Sequence, residues 1–120
     1  NNSWMHNLPT LAKGPFRCTA LVHPDDAARH GLRDGSVARI TGVNGAHGQT
    51  IEAQIEISAA MMPGVISLPH GWGHHLSGTQ LRLAAERPGA NINALFGTAR
   101  DPLSGNAVLS GVPVEIAPLG

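Results

Sequence analysis

The chain has 120 residues, a formal net charge of zero with its histidines neutral, and a single lysine, Lys13. This length fits one domain with a small core, and the balanced charge without a basic stripe excludes a typical nucleic-acid-binding surface. No stretch approaches the roughly 18 apolar residues that a membrane span needs, and the single Cys18 cannot form an intrachain disulfide.

The first third of the chain predicts an extended segment, a strand and a helix. Prolines and a glycine interrupt residues 1–15, whereas residues 16–22 form an apolar run typical of a buried strand, with Cys18 as a small core residue. A short helix is predicted over Pro24–His30, because proline suits the first helical position and two aspartates favour the positive end. Gly31 is placed to end this helix in the left-handed conformation.

The middle of the chain predicts a β-hairpin. Apolar and polar residues alternate over residues 36–43 and 49–57, and residues 44–48 carry the turn signals of the connecting loop. The alternation places Ile51, Ala53, Ile55 and Ile57 on one face of the second strand. That face is expected to be buried and the opposite face solvated.

The remainder is rich in glycine and proline. Short strands are predicted at residues 65–68 and 112–116, with a short helix over residues 91–96. Residues 69–93 form a long irregular loop, which in a compact domain is more often functional than idle. The whole pattern, about six short strands with small helices, predicts a mainly β fold that closes into a barrel.

Three segments carry the side chains best suited to bind a ligand. The N-terminal Asn2-Ser3-Trp4-Met5-His6-Asn7 offers a hydroxyl, amides, an imidazole and an indole N–H, which suit a flat heterocycle or a pyrophosphate; a frayed terminus is the alternative. The densest cluster is His70-Gly71-Trp72-Gly73-His74, in which glycines permit close backbone approach. A transition-metal site at His70, His74 and His75 is a competing interpretation.

The third segment is Gly89-Ala90-Asn91-Ile92-Asn93. Its two amides suit the edge of an aminopyrimidinone ring, and a helix N-cap is the alternative role. Farther along, Asp101 has the composition of a turn residue before Pro102, and its carboxylate also suits a guanine edge.

A series of phrases in fixed order resembles the C-terminal dinucleotide-binding domain of the molybdopterin oxidoreductases, the family of dimethyl sulfoxide reductase, nitrate reductase and formate dehydrogenase. The phrases are His23-Pro24-Asp25-Asp26-Ala27-Ala28, Gly31-Leu32-Arg33-Asp34-Gly35, Pro63-Gly64-Val65, His70-Gly71-Trp72-Gly73-His74, Gly89-Ala90-Asn91-Ile92-Asn93 and Asp101-Pro102-Leu103-Ser104-Gly105. The resemblance extends from Asn2 to Ile116.

This resemblance implies a six-stranded double-psi β-barrel that binds molybdopterin guanine dinucleotide. It favours the ligand role for the N-terminal segment and makes Asn93 a pterin contact. No residue of the chain is expected to be catalytic or to bind a metal. The implied cofactor-binding residues are Asn2, Ser3, Trp4, His6, Asn7, His70, Gly71, Trp72, His74, Asn91, Asn93 and Asp101.

The resemblance also implies that residues 1–120 are a single domain excised from a longer oxidoreductase. The other domains of that parent would be its partners and would hold the molybdenum or tungsten and often an iron–sulfur cluster. The sequence selects neither substrate nor electron partner, and it does not distinguish a cytoplasmic from a periplasmic location.

Two other classes of function fit the same residues. A non-enzymatic double-psi barrel would use the loop at 69–93 to dock a peptide or protein. A small metal-binding β-domain would use His70, His74 and His75.

Overall fold

The structure is a computed structural model that describes residues 3–43, 49–75 and 77–119. Four strands form one mixed sheet in the order β1-β3-β2-β4. β1 is parallel to β3, and β2 is antiparallel to both β3 and β4. The strands are β1 (Thr19–Val22), β2 (Val37–Gly42), β3 (Thr50–Ile57) and β4 (Val114–Pro118). The prediction of a mainly β fold is confirmed, with β1 and β4 shifted by two or three residues.

The predicted hairpin forms from β2 and β3. Ile51, Ala53 and Ile55 are buried on one face of β3, while the residues between them are exposed. Ile40 of β2 is fully buried and pairs with Ile51. Alternation therefore placed this sheet face correctly, because every second side chain must meet the core. The connecting loop predicted at 44–48 lies outside the described residues.

The predicted helix forms as α1 (Pro24–His30), and its two ends are capped. The Asp25 amide donates to Nδ1 of His23 at 3.1 Å, and Gly31 ends the helix at φ 66°. Asp26 does more than complement the helix end. It is buried, forms an ion pair with Arg29 at 3.0 Å, and its Oδ2 accepts from the Gly64 amide at 2.6 Å. This carboxylate therefore ties α1 to the turn that follows the sheet.

The six strands of a closed barrel are not all formed in the described part of the chain. The segment at 65–68, predicted as a strand, contributes one isolated bridge in which Leu21 and Ser67 exchange backbone hydrogen bonds of 2.9 and 3.1 Å. Pro63 and Pro69 flank it, and proline cannot donate to a ladder, so pairing stops there. The sheet formed by the described residues is open.

Two predictions about helices outside the sheet were wrong. Residues 3–7 are a 3₁₀ helix (Ser3–Asn7) rather than an extended segment, and the loop at 69–93 contains α2 (Arg82–Glu86). A second 3₁₀ helix, Ile92–Leu95, matches the short helix expected near residue 91. α2 was missed because its N-terminus has no cap in the local sequence. None of the helices in these described ranges is long and apolar enough to cross a membrane.

Candidate functional site

The rings of His6 and Trp72 stack against each other and form the centre of the candidate site. Their centroids lie 4.2 Å apart, and His74 is 6.1 Å from His6 in an edge-on arrangement. Nε2 of His74 lies 2.6 Å from the Gly71 carbonyl oxygen. Phe16 packs edge-on against the other part of the indole at 5.3 Å. The sequence-predicted N-terminal segment and the Gly-Trp-Gly-His loop therefore meet in space.

The His6 imidazole has a polar atom without a protein partner. Its Nδ1 is buried and makes no hydrogen bond within the described residues. Burial lowers the pKa of His6 below its usual value, and the neighbouring His74 lowers it further. The ring is therefore neutral at pH 7, with one donor and one acceptor nitrogen available to a neutral heterocycle.

Glycines let the loops of the site approach one another. Gly73 has φ 103°, and a Cβ added there would lie 2.6 Å from Cβ of Asn91. Gly89 has φ 60°, and an added Cβ would lie 2.7 Å from Sγ of Cys18 and 3.0 Å from Cε3 of Trp72. The Ala90 amide donates to the Cys18 sulfur at 3.2 Å. Burial raises the pKa of this thiol, which supports a structural role.

Two of the predicted amides use their oxygens as helix caps. Oδ1 of Asn7 accepts from the Leu83 and Ala84 amides at 2.8 and 3.2 Å, and so caps α2 from a distant part of the chain. Oδ1 of Asn91 accepts from the Asn93 amide at 3.1 Å, which confirms the N-cap interpretation. Their amide NH₂ groups remain for a ligand. The exposed side chain of Asn93 makes no hydrogen bond within the described residues.

Asp101 forms the expected turn. Its Oδ1 accepts from the Leu103 amide at 3.1 Å and from the Ser104 amide and hydroxyl at 2.7 and 2.9 Å. The Ser104 hydrogen bonds hold the pKa of this carboxyl below its usual value. The second oxygen points to no described partner. The guanine-edge role of Asp101 stays a prediction.

The structure separates His70 from the other aromatic residues of its motif. His70 packs 5.5 Å from Phe96 and lines a largely apolar cavity of about 830 Å³ between residues 64–68 and 109–114. Trp4 is 54% exposed, and Ser3 lies in the first 3₁₀ helix. Asn2 lies outside the described residues.

The described histidines do not assemble a metal centre. No group of three His, Cys, Asp or Glu side chains in residues 3–43, 49–75 and 77–119 is placed to hold a metal ion. The metal-binding alternative at His70, His74 and His75 therefore has no support in this geometry.

A second cleft of about 460 Å³ adjoins His6 and Trp72 and was not predicted. Three cationic side chains line it, from Lys13, Arg17 and Arg87. The sequence shows no basic cluster, because these residues come from two segments that lie 70 or more positions apart. The hydrogen bonds between residues 12–14 and Arg87 bring the two segments together.

Comparisons with known proteins agree on one family. The sequence profile described as "Molydopterin dinucleotide binding domain" matches residues 1–113. The matched polypeptide of tetrathionate reductase from Salmonella typhimurium (strain LT2) is 34% identical over 113 residues, which cover 79% of this chain and 11% of that protein. Acetylene hydratase from Pelobacter acetylenicus shares the fold, with a TM-score of 0.63 and 22% identity over 84% of this chain and 14% of that chain. The chain thus spans a small fraction of the length of these relatives.

Proposed function

This chain belongs to the family of molydopterin dinucleotide binding domains, and on that premise we propose that it holds the guanine form of the cofactor within a larger molybdenum- or tungsten-dependent oxidoreductase. The domain itself is not catalytic in this proposal. It positions the cofactor and sets its electrostatic surroundings, which is the usual share of a protein in cofactor chemistry. Support for a reductase parent comes from the similarity to tetrathionate reductase.

The single observation that carries the proposal is the stacked pair of His6 and Trp72. The pair presents a flat aromatic surface beside a buried imidazole nitrogen that lacks a protein partner among the described residues. A buried polar atom without a hydrogen bond costs free energy, so a ligand that supplies the bond is favoured. A pterin, with donors and acceptors around a planar ring, fits this requirement.

The residues around this pair fit such a cofactor. His6 offers a neutral nitrogen, Trp72 offers a stacking surface, and the Asn93 amide offers a donor and an acceptor together. When bound, the cofactor supplies the metal at which redox chemistry takes place. The chain supplies orientation, through the loops at residues 3–7, 70–75 and 91–93, and excludes water with Phe16 and Trp72.

The test uses the full-length protein that carries this chain, produced in cells that make the cofactor. Molybdenum, tungsten, oxidised pterin and the nucleotide released by acid are quantified in the wild type, His6→Ala, Trp72→Leu and the control His30→Gln. GMP in stoichiometric amounts, lost by at least half in both site variants and kept in the control, is expected. Release of a different nucleotide, or full GMP content in both site variants, would contradict the proposal.

The His70→Ala variant distinguishes the two cavities. His70 lies against Phe96 in the larger cavity, so loss of GMP in this variant would extend the cofactor site to that cavity. Retention would restrict it to the His6 and Trp72 side. A properly folded parent that contains neither pterin nor nucleotide would instead favour a barrel that docks a peptide or protein.

The closed six-stranded double-psi barrel is likewise a proposal. Its support is the bridge between Leu21 and Ser67, which begins a fifth segment beside β1. We expect the amides of both residues to exchange with solvent as slowly as those of β3. Rapid exchange at both would contradict a closed barrel.

A further inference from the structure

We propose that the cleft lined by Lys13, Arg17 and Arg87 is a binding site for a phosphate group. The proposal goes beyond the cofactor function above, because it concerns an oxyanion site of this chain whether or not the phosphate is joined to a pterin. The cleft has a volume of about 460 Å³ and is open to solvent at one side. It lies next to the stacked pair of His6 and Trp72.

The first argument is the concentration of positive charge. The chain has eight Lys and Arg residues and no net charge, yet three of these cations face one cleft with a single carboxylate, Glu86. The ion pairs among the described residues are His23 with Asp25 and Arg29 with Asp26, so none of the three cleft cations is neutralised by an ion pair in this part of the chain. Such a cluster attracts an anion and raises its local concentration.

The second argument is the fixed position of Arg87. Its Nη1 donates to the carbonyl oxygens of Ala12 and Gly14 at 3.2 and 3.0 Å. The turn at Gly14, with φ 94°, folds residues 12–14 onto the guanidinium and carries Lys13 to the rim of the cleft. A guanidinium has five N–H donors in a planar fork, so donors remain for two oxygens of one phosphate.

The third argument is the apolar floor. Leu11, Leu83 and Trp72 line the cleft between the cations. Apolar walls lower the local dielectric constant, which strengthens the attraction between a guanidinium and an oxyanion. The chain thus supplies both the charges and the surroundings that a phosphate site needs. The indole also provides a flat surface for a heterocycle attached to that phosphate.

The test is a titration of the isotopically labelled protein with inorganic pyrophosphate at constant ionic strength, followed by backbone amide NMR signals. Saturable shifts are expected at residues 12–17 and 83–87. Lys13→Gln and Arg17→Gln are each expected to weaken binding about tenfold, as for loss of one charge-assisted hydrogen bond. Neither side chain makes a hydrogen bond within the described residues, so both variants should keep the sheet signals of the wild type.

The matched control is Arg39→Gln, which removes an exposed cation of β2 outside the cleft. Its pyrophosphate affinity is expected to stay within about twofold of the wild type, because solvent and salt screen a distant surface charge. The absence of saturable shifts in the wild type would overturn the proposal. So would an Arg39→Gln variant that loses as much affinity as Arg17→Gln, since general electrostatics would then explain the binding.

A second arm identifies the source of the phosphate. If guanosine diphosphate binds about tenfold more tightly than pyrophosphate and Trp72→Leu removes that gain, the site holds a phosphate carried by a heterocycle. Equal affinities support the site for free phosphate or pyrophosphate. This titration needs no bound cofactor, so a parent protein that releases no GMP would refute the cofactor proposal and leave this one standing.

Discussion

The sheet and the loops that cover it are held together by different forces. In the sheet, Ala20, Val22, Ala38 and Ile40 are fully buried, and apolar burial of this kind is the dominant stabilising term in folding. We define the loop layer as residues 3–15 together with the described residues of 69–96. Within it, Ala84, Ala90 and Leu95 are the buried apolar residues, and polar contacts do much of the joining.

Three long-range contacts join the loop layer. Asn7 caps α2, Arg87 binds the carbonyls of Ala12 and Gly14, and the Ala90 amide donates to Cys18. Each links residues more than 70 positions apart. The sheet therefore forms from a repeated local pattern, whereas the candidate site depends on a few individual bonds. The loop layer should open more readily than the sheet.

The largest predicted effect comes from adding a methyl group where the two regions meet. In Gly89→Ala the new Cβ would lie 2.7 Å from Sγ of Cys18 and 3.0 Å from the Trp72 ring, at φ 60°. Overpacking and the left-handed backbone together are expected to lower the free energy of unfolding by about 2–4 kcal/mol. Urea denaturation followed by circular dichroism measures this loss.

The control for this substitution is Gly105→Ala. Gly105 has φ 72°, and an added Cβ meets nothing within 4 Å. Only the backbone strain remains, so a loss of about 1 kcal/mol is expected. Equal losses in the two variants would show that close packing between the regions contributes nothing.

An intermediate effect is expected from Asn7→Ala, which removes the cap of α2. The Leu83 and Ala84 amides lose their acceptor, and loss of such a cap costs about 1 kcal/mol. Hydrogen exchange measured by NMR should show faster exchange at these two amides, while the amides of Ala53 and Ile55 in the sheet change less. This pattern would show that the loop layer opens by itself.

Asn7→Asp is the matched variant, because it keeps an oxygen acceptor at the helix N-terminus, where negative charge is favourable. Its α2 amides should exchange at the wild-type rate. If Asn7→Ala accelerated exchange in the sheet and in α2 to the same degree, the two regions would unfold as one unit. The distinction between the sheet and the loop layer would then be wrong.

The smallest predicted effect is a pH dependence confined to the loop layer. The pKa of His6 is lowered, chiefly by burial and then by His74, so the unfolded chain binds a proton more readily than the folded one. The stability that neutral His6 provides is fully present above its usual pKa near 6.5. It is lost as the pH falls from there through the lower pKa of the folded state.

This dependence is measured as the free energy of unfolding between pH 7.5 and 5. His6→Gln should flatten the acid side of the curve, whereas His30→Gln, which removes an exposed imidazole of α1, provides the control for the substitution itself. A wild-type curve that matches His6→Gln throughout this range would contradict a lowered His6 pKa.

The sequence predicted the parts of the fold that local rules determine. The alternation over β3 and the capped helix α1 both depend on neighbouring residues, and both are confirmed. α2 was missed because its cap, Asn7, is distant in sequence. The segment at 65–68 was predicted as a strand from its apolar residues, but pairing depends on partners that the pattern does not specify.

The candidate site divides in the same way. The sequence predicted His6 and Trp72 as members of one site, and the structure places their rings in contact. Nothing in the sequence separated His70 from this pair, because a glycine-rich loop can turn in many directions. The cationic cleft was also missed, since its members are brought together by backbone carbonyls that bind Arg87.

The buried thiol of Cys18 turns the junction between sheet and loops into a clock. Its sulfur accepts from the Ala90 amide and is closed off from solvent by the Gly89 backbone. A thiol reagent can modify this atom only after the junction has opened, and Cys18 is the single cysteine of the chain. The rate of its labelling therefore times how often the covering of the candidate site lifts away, without any introduced probe.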